Sequence, residues 1–314
     1  MNKATIPTLA LQKFAELRLH KPMQKGRPPY IAAASGLVRH RDYAFVVADD
    51  ELSLGIFAAA DLHPEEPLRL LDGKLPRDIE KRKKEKPDFE ALALLPAAAN
   101  YPHGALLILG SGSRANRNLG LLVALTESGV PHREQSLQID CSILFTALQR
   151  EFGTVNIEGA VVQGGSLLLF QRGNKGLGTN ATVQLDLTTL VPELGLGGVG
   201  GDSLRAIRNY ELGEIDGVAL GFTDATCLPD GRLLAAAAAE DTSDAYVDGA
   251  ALGSCLCQFD RSNELERIVR LDQSVKAEGI AVWSASQKLL AFVTDADDPA
   301  TPAVLYTAYA DDFF

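Results

Sequence analysis

Five distant stretches of this chain share one plan, and that repetition constrains the fold more than any other feature. Each opens on a short strand whose first residues are small or acidic, turns, and continues into a strongly apolar strand that ends abruptly in polar residues. They are AASGLVRHRDYAFVVADDE from Ala33, FEALALLPAAANYPHGALLILGSGSR from Phe89, IEGAVVQGGSLLLFQRGN from Ile157, FTDATCLPDGRLLAAAAAEDT from Phe222 and AEGIAVWSASQKLLAFVTDADD from Ala277. Aligned on their openings, Ser35, Glu90, Glu158, Thr223 and Glu278 fall in one column, with spacings of 55, 68, 65 and 55 residues. A period of this size, built from short strands and turn residues, describes one sheet repeated around an axis.

Further apolar segments give each unit a third and a fourth strand: SLGIFAAAD and PLRLLD in the first, NATVQLDL and SLRAIRNYEL in the third, ALGSCLCQFD and LERIVRLD in the fourth. The fifth unit supplies only AVLYTAYA before Phe314, and KFAELRLH, Lys13 to His20, is the strand left over at the other end. A ring closed by that exchange leaves no exposed sheet edge at its seam. The expected fold is therefore all-β: a β-propeller of five blades of four antiparallel strands, closed by the N-terminal strand, spanning residues 1–314 as one domain. Six blades are the alternative count, because Thr188 to Leu204 or Leu137 to Phe152 could conceal another unit. For the second stretch a short helix is preferred, since Ile143, Leu144, Ala147 and Leu148 have helical spacing. EKRKKEKP, Glu80 to Pro87, is charged on all sides and reads as a solvated linker.

Composition excludes several function classes. The net charge of −11 and pI near 5.0 argue against a nucleic-acid surface, whose affinity comes from clustered Lys and Arg. The first nineteen residues hold Pro7, Lys13, Glu16 and Arg18 and offer no apolar run, so neither a secretory signal nor a membrane span is expected and the default compartment is cytoplasmic. Cys141, Cys227, Cys255 and Cys257 lack zinc-site spacing, and His20, His40, His63, His103 and His132 show no metal spacing or triad partner. Gly195, Gly197 and Gly200 satisfy a dinucleotide-binding pattern without its strand-to-helix context and read as a loop. Trp283 reads as core.

Propeller topology converts the repeat into a site. Strands antiparallel from the axis outward put the start of each innermost strand and the end of each second strand on one face. The column residues are thus joined at the channel mouth by Asp49, Asp50, Ser111, Ser113, Arg114, Arg172, Asn174, Glu240, Asp241, Asp295, Asp297 and Asp298. Three glutamates aimed at one axis repel each other, so a cation sits among them, arginines pair with them, or some carry protons. A hard divalent ion, best Ca²⁺, is one resolution, with Glu90, Glu158, Glu278 and Asp295 as ligands. The other is that these acids cap backbone N–H groups or solvate a water-filled channel. Arg114, Arg117 and Arg172 are either ion-pair partners or receptors for an anionic group.

IEGA at Ile157 and AEGIA at Ala277, each leading into an apolar strand, resemble the Glu-Gly openings of esterase-like phytase propellers and, more distantly, of the gluconolactonase and calcium-dependent phosphotriesterase group. The runs FTDATCLPDGRLLAAAAAEDTSDAY and VTDADDPATPAVLY resemble an uncharacterised bacterial β-propeller family. The lactonase-like resemblance implies a divalent metal held by inner-strand glutamates, Glu158 and Glu278 here, activating water or a carbonyl. Two readings follow. One is a metal-dependent hydrolase of a small ester, lactone or phosphoester, with Glu240 or Asp241 as general base and Arg114 or Arg172 orienting an anionic end. The other is a non-catalytic propeller that binds a sugar, peptide or protein partner with the same face. In both, the expected partner is a small molecule, possibly anionic, or a protein, and neither nucleic acid nor membrane.

Overall fold

The computed structural model describes residues 7–173, 179–241 and 250–314, the side chains of 241, 250 and 251 excepted. Two short strands come first, β1 (Thr8–Leu9) and β2 (Gln12–Glu16). Blade 1 follows as β3 (Ala34–His40), β4 (Tyr43–Ala48), β5 (Ser53–Ala58) and β6 (Leu68–Arg69), and leads into helix α1 (Ile79–Glu85). Blade 2 is β7 (Phe89–Leu95), β8 (Ala105–Gly110), β9 (Leu119–Leu125) and β10 (Pro131–Asp140), followed by α2 (Ser142–Phe152). Blade 3 is β11 (Ile157–Gln163), β12 (Ser166–Gln171), β13 (Asn180–Asp186) and, after α3 (Leu187–Gly195), β14 (Leu204–Tyr210). A two-residue strand, β15 (Glu214–Ile215), begins blade 4, whose body is β16 (Val218–Cys227), β17 (Leu233–Asp241), β18 (Ala250–Phe259) and β19 (Leu265–Leu271). Blade 5 is β20 (Lys276–Ser284), β21 (Leu289–Asp295) and β22 (Val304–Tyr309).

The ring is a five-bladed propeller. Its seam is the expected exchange: β2 pairs antiparallel with β22 as the outermost strand of blade 5. β1 goes further and adds in parallel to the edge of blade 4 through Thr8 and Arg270, so the N-terminal segment ties two blades together.

Hydrophobic clusters lie between successive blades, so both faces of every sheet are buried. β17 shows the consequence. Its Ala235, Ala237 and Ala239 face the blade 3 side while Leu234 and Ala236 face blade 5, and all are essentially inaccessible. Alanine is the best helix former and a poor strand former, but two neighbouring sheets at this point leave room only for a methyl group. Aromatic side chains fill the wider gap nearby: Phe170 and Phe222 meet edge to face at 5.1 Å, and Tyr210 packs on Phe222 and Phe259. Trp283, Cys255 and Cys257 are core, as read from the sequence.

Three stretches bear out or correct the sequence reading. Leu137 to Phe152 contains the expected helix, with Leu144, Phe145 and Leu148 buried, and Thr188 to Leu204 contributes α3 and the start of β14 rather than a sixth blade. EKRKKEKP is not a solvated linker. It forms α1, capped by the Asp78 side chain on the Lys81 N–H at 2.9 Å, and it lies against the channel mouth with Arg82 buried. Among the described residues no helix is long and apolar enough to cross a membrane.

Candidate functional site

The aligned column has a physical identity. Ser35, Glu90, Glu158, Thr223 and Glu278 each sit where the pairing of the inner strand with its neighbour slips by one residue. A bulge re-aims the side chain that it carries, and five bulges at one level turn five side chains toward one mouth. The next residue is Gly36, Ala91, Gly159, Asp224 or Gly279, and the small ones let inner strands touch. A Cβ on Gly159 would stand 2.7 Å from the Asp224 Cα, and one on Gly279 2.9 Å from the Leu37 backbone.

Where the inner strands of blades 3, 4, 5 and 1 meet lies Asp224, wholly buried. Its Oδ2 accepts the Ile280 N–H at 2.9 Å, and the N–H groups of Ala225 and Leu37 also favour its charge. Burial nonetheless raises its pKa well above the carboxylate range. Thr223 is likewise structural, donating its hydroxyl to the Ala277 carbonyl at 2.7 Å.

Above this plug the mouth is a layered ion network. On the side of blades 3 to 5, Arg172 stands 3.5 Å from Glu158 and 3.0 Å from Glu240. Lys276 lies 2.5 Å from Glu240, 2.8 Å from Glu278 and 3.2 Å from Asp297. The Arg172 side chain fills space left by Gly221, where a Cβ would be 2.8 Å from it. Asn156 donates to Glu158 at 2.5 Å. On the side of blades 1 and 2, Lys86 pairs with Asp49 and, at 2.8 Å, with Asp88, while Arg117 and Ser111 reach Asp88 at 2.7 and 2.5 Å.

The protonation pattern follows from this pairing. Burial pushes Glu158 up to about 7 despite Arg172, and it raises Glu278 despite Lys276. Glu90 is raised well above its ordinary range by burial and then by Asp88, Glu158 and Asp49. Asp295 is raised in the same way, with Lys276 the main opposing charge. In contrast, Asp88 and Glu240 are held low: burial opposes ionisation in both, but Lys86 and Arg117 outweigh it at Asp88, and Arg172 and Lys276 at Glu240. Thus the charge of Glu158 bears on Glu90, and that of Glu278 on Glu158.

α1 lines one side of this mouth and is fixed through its C-terminal half. Arg117 Nη2 donates to the Lys83 carbonyl at 2.8 Å, and Asn116 donates to the carbonyls of Lys84 and Lys86 at 3.1 and 3.2 Å. Arg82 reaches Asp50 at 3.2 Å, and Asp50 also holds Arg27, which pairs with Glu51 at 2.8 Å. Between helix and ring lies a cavity of about 350 Å³. Lys83, Lys84, Lys86, Arg114 and Arg117, with Glu80, line it from α1 and the turn after β8; Asp295, Asp297 and Asp298, with Lys276, line it from blade 5, over Asp49 and Asp50.

The sequence-derived residues therefore separate. Arg114 and Asp295 reach the cavity, whereas Arg172, Glu158, Glu240 and Glu278 lie in the buried layer. Asn174 and the Asp241 side chain fall outside the described residues. Of the four expected metal ligands, only Glu90 belongs to a close oxygen cluster among the described residues. Its companions are Asp49 and Asp88, all within 4.8 Å. The Lys86 ammonium already bonds both companions.

Lys86, Asp88 and Lys276 were not singled out from the sequence. A signal existed: two positions before the column stand Ala33, Asp88, Asn156, Gly221 and Lys276, on the same side of an extended strand, and four of these take part in the mouth or leave room for it.

The motif-bearing stretches from the first blade to the last match a single family model, described as a family of unknown function (DUF6929), over residues 30–309. The chain belongs to the DUF6929 family. The DUF6929 match takes in β3 to β22 and stops short of β1 and β2, the strands at the seam. No curated protein matches the sequence. Among solved structures, the Myxococcus xanthus glutaminyl cyclase is 13% identical, with a TM-score of 0.51 over 97% of this chain and 100% of that one. A luciferin-regenerating enzyme is 10% identical, with a TM-score of 0.46 over 90% and 92% of the two chains. The hydrazine synthase of Kuenenia stuttgartiensis is 12% identical with a TM-score of 0.42, and this chain, covered over 86%, spans 58% of that one. At these identities the likeness to the cyclase is one of fold.

Proposed function

We propose that this protein is a small-molecule-binding propeller whose ligand presents an anionic group to the cavity under α1. One observation carries the reading: the cavity has a wall of cations, of which Arg114 and Lys84 make no ion pair among the described residues, although acids crowd the rest of the mouth. In a protein of net charge −11, unpaired cations concentrated around a concave site are a receptor for carboxylate or phosphate. The volume is at the small end of ligand sites.

Calorimetric titration of the full chain with inorganic phosphate and with butyrate tests it. Saturable binding that weakens at least about tenfold in Arg114→Ala, and falls with added salt, is the expected result. Heats that ignore Arg114 and Lys84→Ala alike would remove the proposal.

A second reading, metal-dependent hydrolysis of an ester, lactone or phosphoester, is favoured by the three carboxyl groups of Asp49, Asp88 and Glu90. Their all-oxygen character suits Ca²⁺ in kind, but an ion there has to displace Lys86 from two of the three. Glu240, held ionised by Arg172 and Lys276, is a weak general base. Ca²⁺ titration together with an ester, lactone and phosphoester panel on wild type and Glu90→Gln decides it: turnover that depends on both Ca²⁺ and Glu90 would establish hydrolysis.

A further inference from the structure

The cavity is asymmetric in charge, and the asymmetry follows the blades. Its cationic wall comes from α1 and the turn after β8, on the blade 2 side. Its acidic wall comes from the β21–β22 connection of blade 5, joined to blade 1 by a bridge between Ala33 and Asp295. Blade 1 lies between the two, so the walls face each other across it.

Each wall has charge to spare. On the cationic side Lys86 and Arg117 are committed to Asp49 and Asp88, and Arg82 to Asp50, which leaves Lys84 and Arg114 as above. Beside the acidic side the carboxyls of Glu158, Glu240, Glu278 and Asp297 share two cations, Arg172 and Lys276, and Asp295 makes no ion pair among the described residues. Glu278 Oε2 is buried without a hydrogen-bond partner among the described residues. Asp298 is spent on its own loop, taking the Ala300 N–H and the Thr301 hydroxyl. Asp295 accepts one N–H, from Asp297 at 2.8 Å through Oδ1, and it stands on the cavity wall. It lines the cavity without an ion pair among the described residues, which sets it apart from Asp297, Asp49 and Asp50.

We propose that the ligand is bifunctional, with its anionic group on Lys84 and Arg114 and an ammonium group on Asp295. This rests on the reading of the cavity as an anion receptor and adds the second contact. A molecule with one charge satisfies one wall and leaves the other as it was. A molecule with both meets each side at once, and Asp295, which makes no ion pair among the described residues, gains a cationic partner. The cavity volume equals a sphere about 9 Å across, which places the two charges a few carbon–carbon bonds apart. Small aminocarboxylates and amino-alkyl phosphates have this form.

The test is calorimetry on the full chain with β-alanine, γ-aminobutyrate, ε-aminocaproate and phosphoethanolamine. Each is compared with its single-charge counterparts: propionate, butyrate, caproate, inorganic phosphate, and propylamine and butylamine. At least one bifunctional probe is expected to bind about tenfold or more tightly than both counterparts. Asp295→Asn, which keeps the acceptor for the Asp297 N–H, is expected to erase that margin, so that the bifunctional probes bind no more tightly than their simple anions. If wild type holds the simple anions as tightly as the bifunctional probes, this inference fails and the anion receptor stands. If neither class binds through Arg114, both fail together. The wild-type comparison requires no variant to fold.

Discussion

Asp224 and Glu278 are carboxyls on adjacent inner strands, both buried at the centre of one ring, and each is kept there by different chemistry. Asp224 is held by backbone N–H groups, with one hydrogen bond to Ile280 and favourable alignment of Ala225 and Leu37, so a single side chain joins blades 4, 5 and 1. Glu278 is held by an ammonium group, Lys276 Nζ, which it shares with Glu240 and Asp297. Ile280 lies on an inner strand that ends its sheet, so an N–H on its open side needs an acceptor from elsewhere. Backbone donors cannot leave, which makes Asp224 a permanent part of the scaffold. Lysine and arginine side chains can exchange partners, which makes the mouth a place where a ligand can compete.

Lys276→Met is expected to have the largest effect on stability, a loss of about 3–5 kcal/mol in denaturant unfolding, because it strands Glu278 and weakens Glu240 and Asp297 in a buried setting. The double variant with Glu278→Gln should recover a large part of that loss. Asp224→Ala comes next at about 2–4 kcal/mol, since it takes the acceptor from the Ile280 N–H and leaves a void at the axis. Asp224→Asn should cost about 1 kcal/mol or less, because the amide keeps an acceptor oxygen and the carboxyl already favours its neutral form. Equal losses for Asn and Ala would show that Asp224 acts by charge, like Glu278, and the contrast between scaffold and mouth would fail. Gly159→Ala follows at about 1–3 kcal/mol, since the new Cβ meets backbone that cannot swing away.

A smaller effect comes from pH. Glu158 has an ordinary value of 4.5 and is raised to about 7 by burial. Its folded form therefore prefers the proton, so its contribution is complete below 4.5 and is lost as pH rises to about 7. Melting temperature should fall across that window, and Glu158→Gln should reduce the fall. A steeper fall in the variant would overturn the assignment.

Much of this fold could be read from the residues, for a physical reason. Five inner strands begin with a bulge, and a bulge has a side-chain signature: Glu158 and Gly159, or Glu278 and Gly279, in which a polar residue is turned to the mouth and a small one lets strands meet. The same repeat identified β17 as a strand although its alanines favour a helix, because the blade decides there. The seam was legible through arithmetic, from one strand missing at Phe314 and one spare near Lys13. The site was only half legible. Column residues are set by the repeat, but their partners are not: Lys86 and α1 come from an insertion between blades, where no repeat constrains the reading and a charged run looks solvated. Three glutamates at one mouth left a bound cation, pairing with arginine or protonation open; Arg172 pairs with Glu158 and Lys276 with Glu278, while burial raises Glu90.

The sharpest form of the comparison sets Arg114 against Arg172, two arginines at the ends of second strands in neighbouring blades. Arg172 is buried between Glu158 and Glu240, so its removal should act on folding. Arg114 is exposed on the cavity wall, and its backbone carbonyl, accepting the Arg117 N–H at 2.9 Å, is the part that shapes the turn. Substituting its side chain touches neither that bond nor any ion pair among the described residues. Arg114→Ala should therefore leave unfolding free energy within about 0.5 kcal/mol of wild type, the smallest change of the series. An appreciable loss of stability would show that Arg114 braces the mouth, as Arg172 does, and the distinction between held and available cations would have to be redrawn around Lys84.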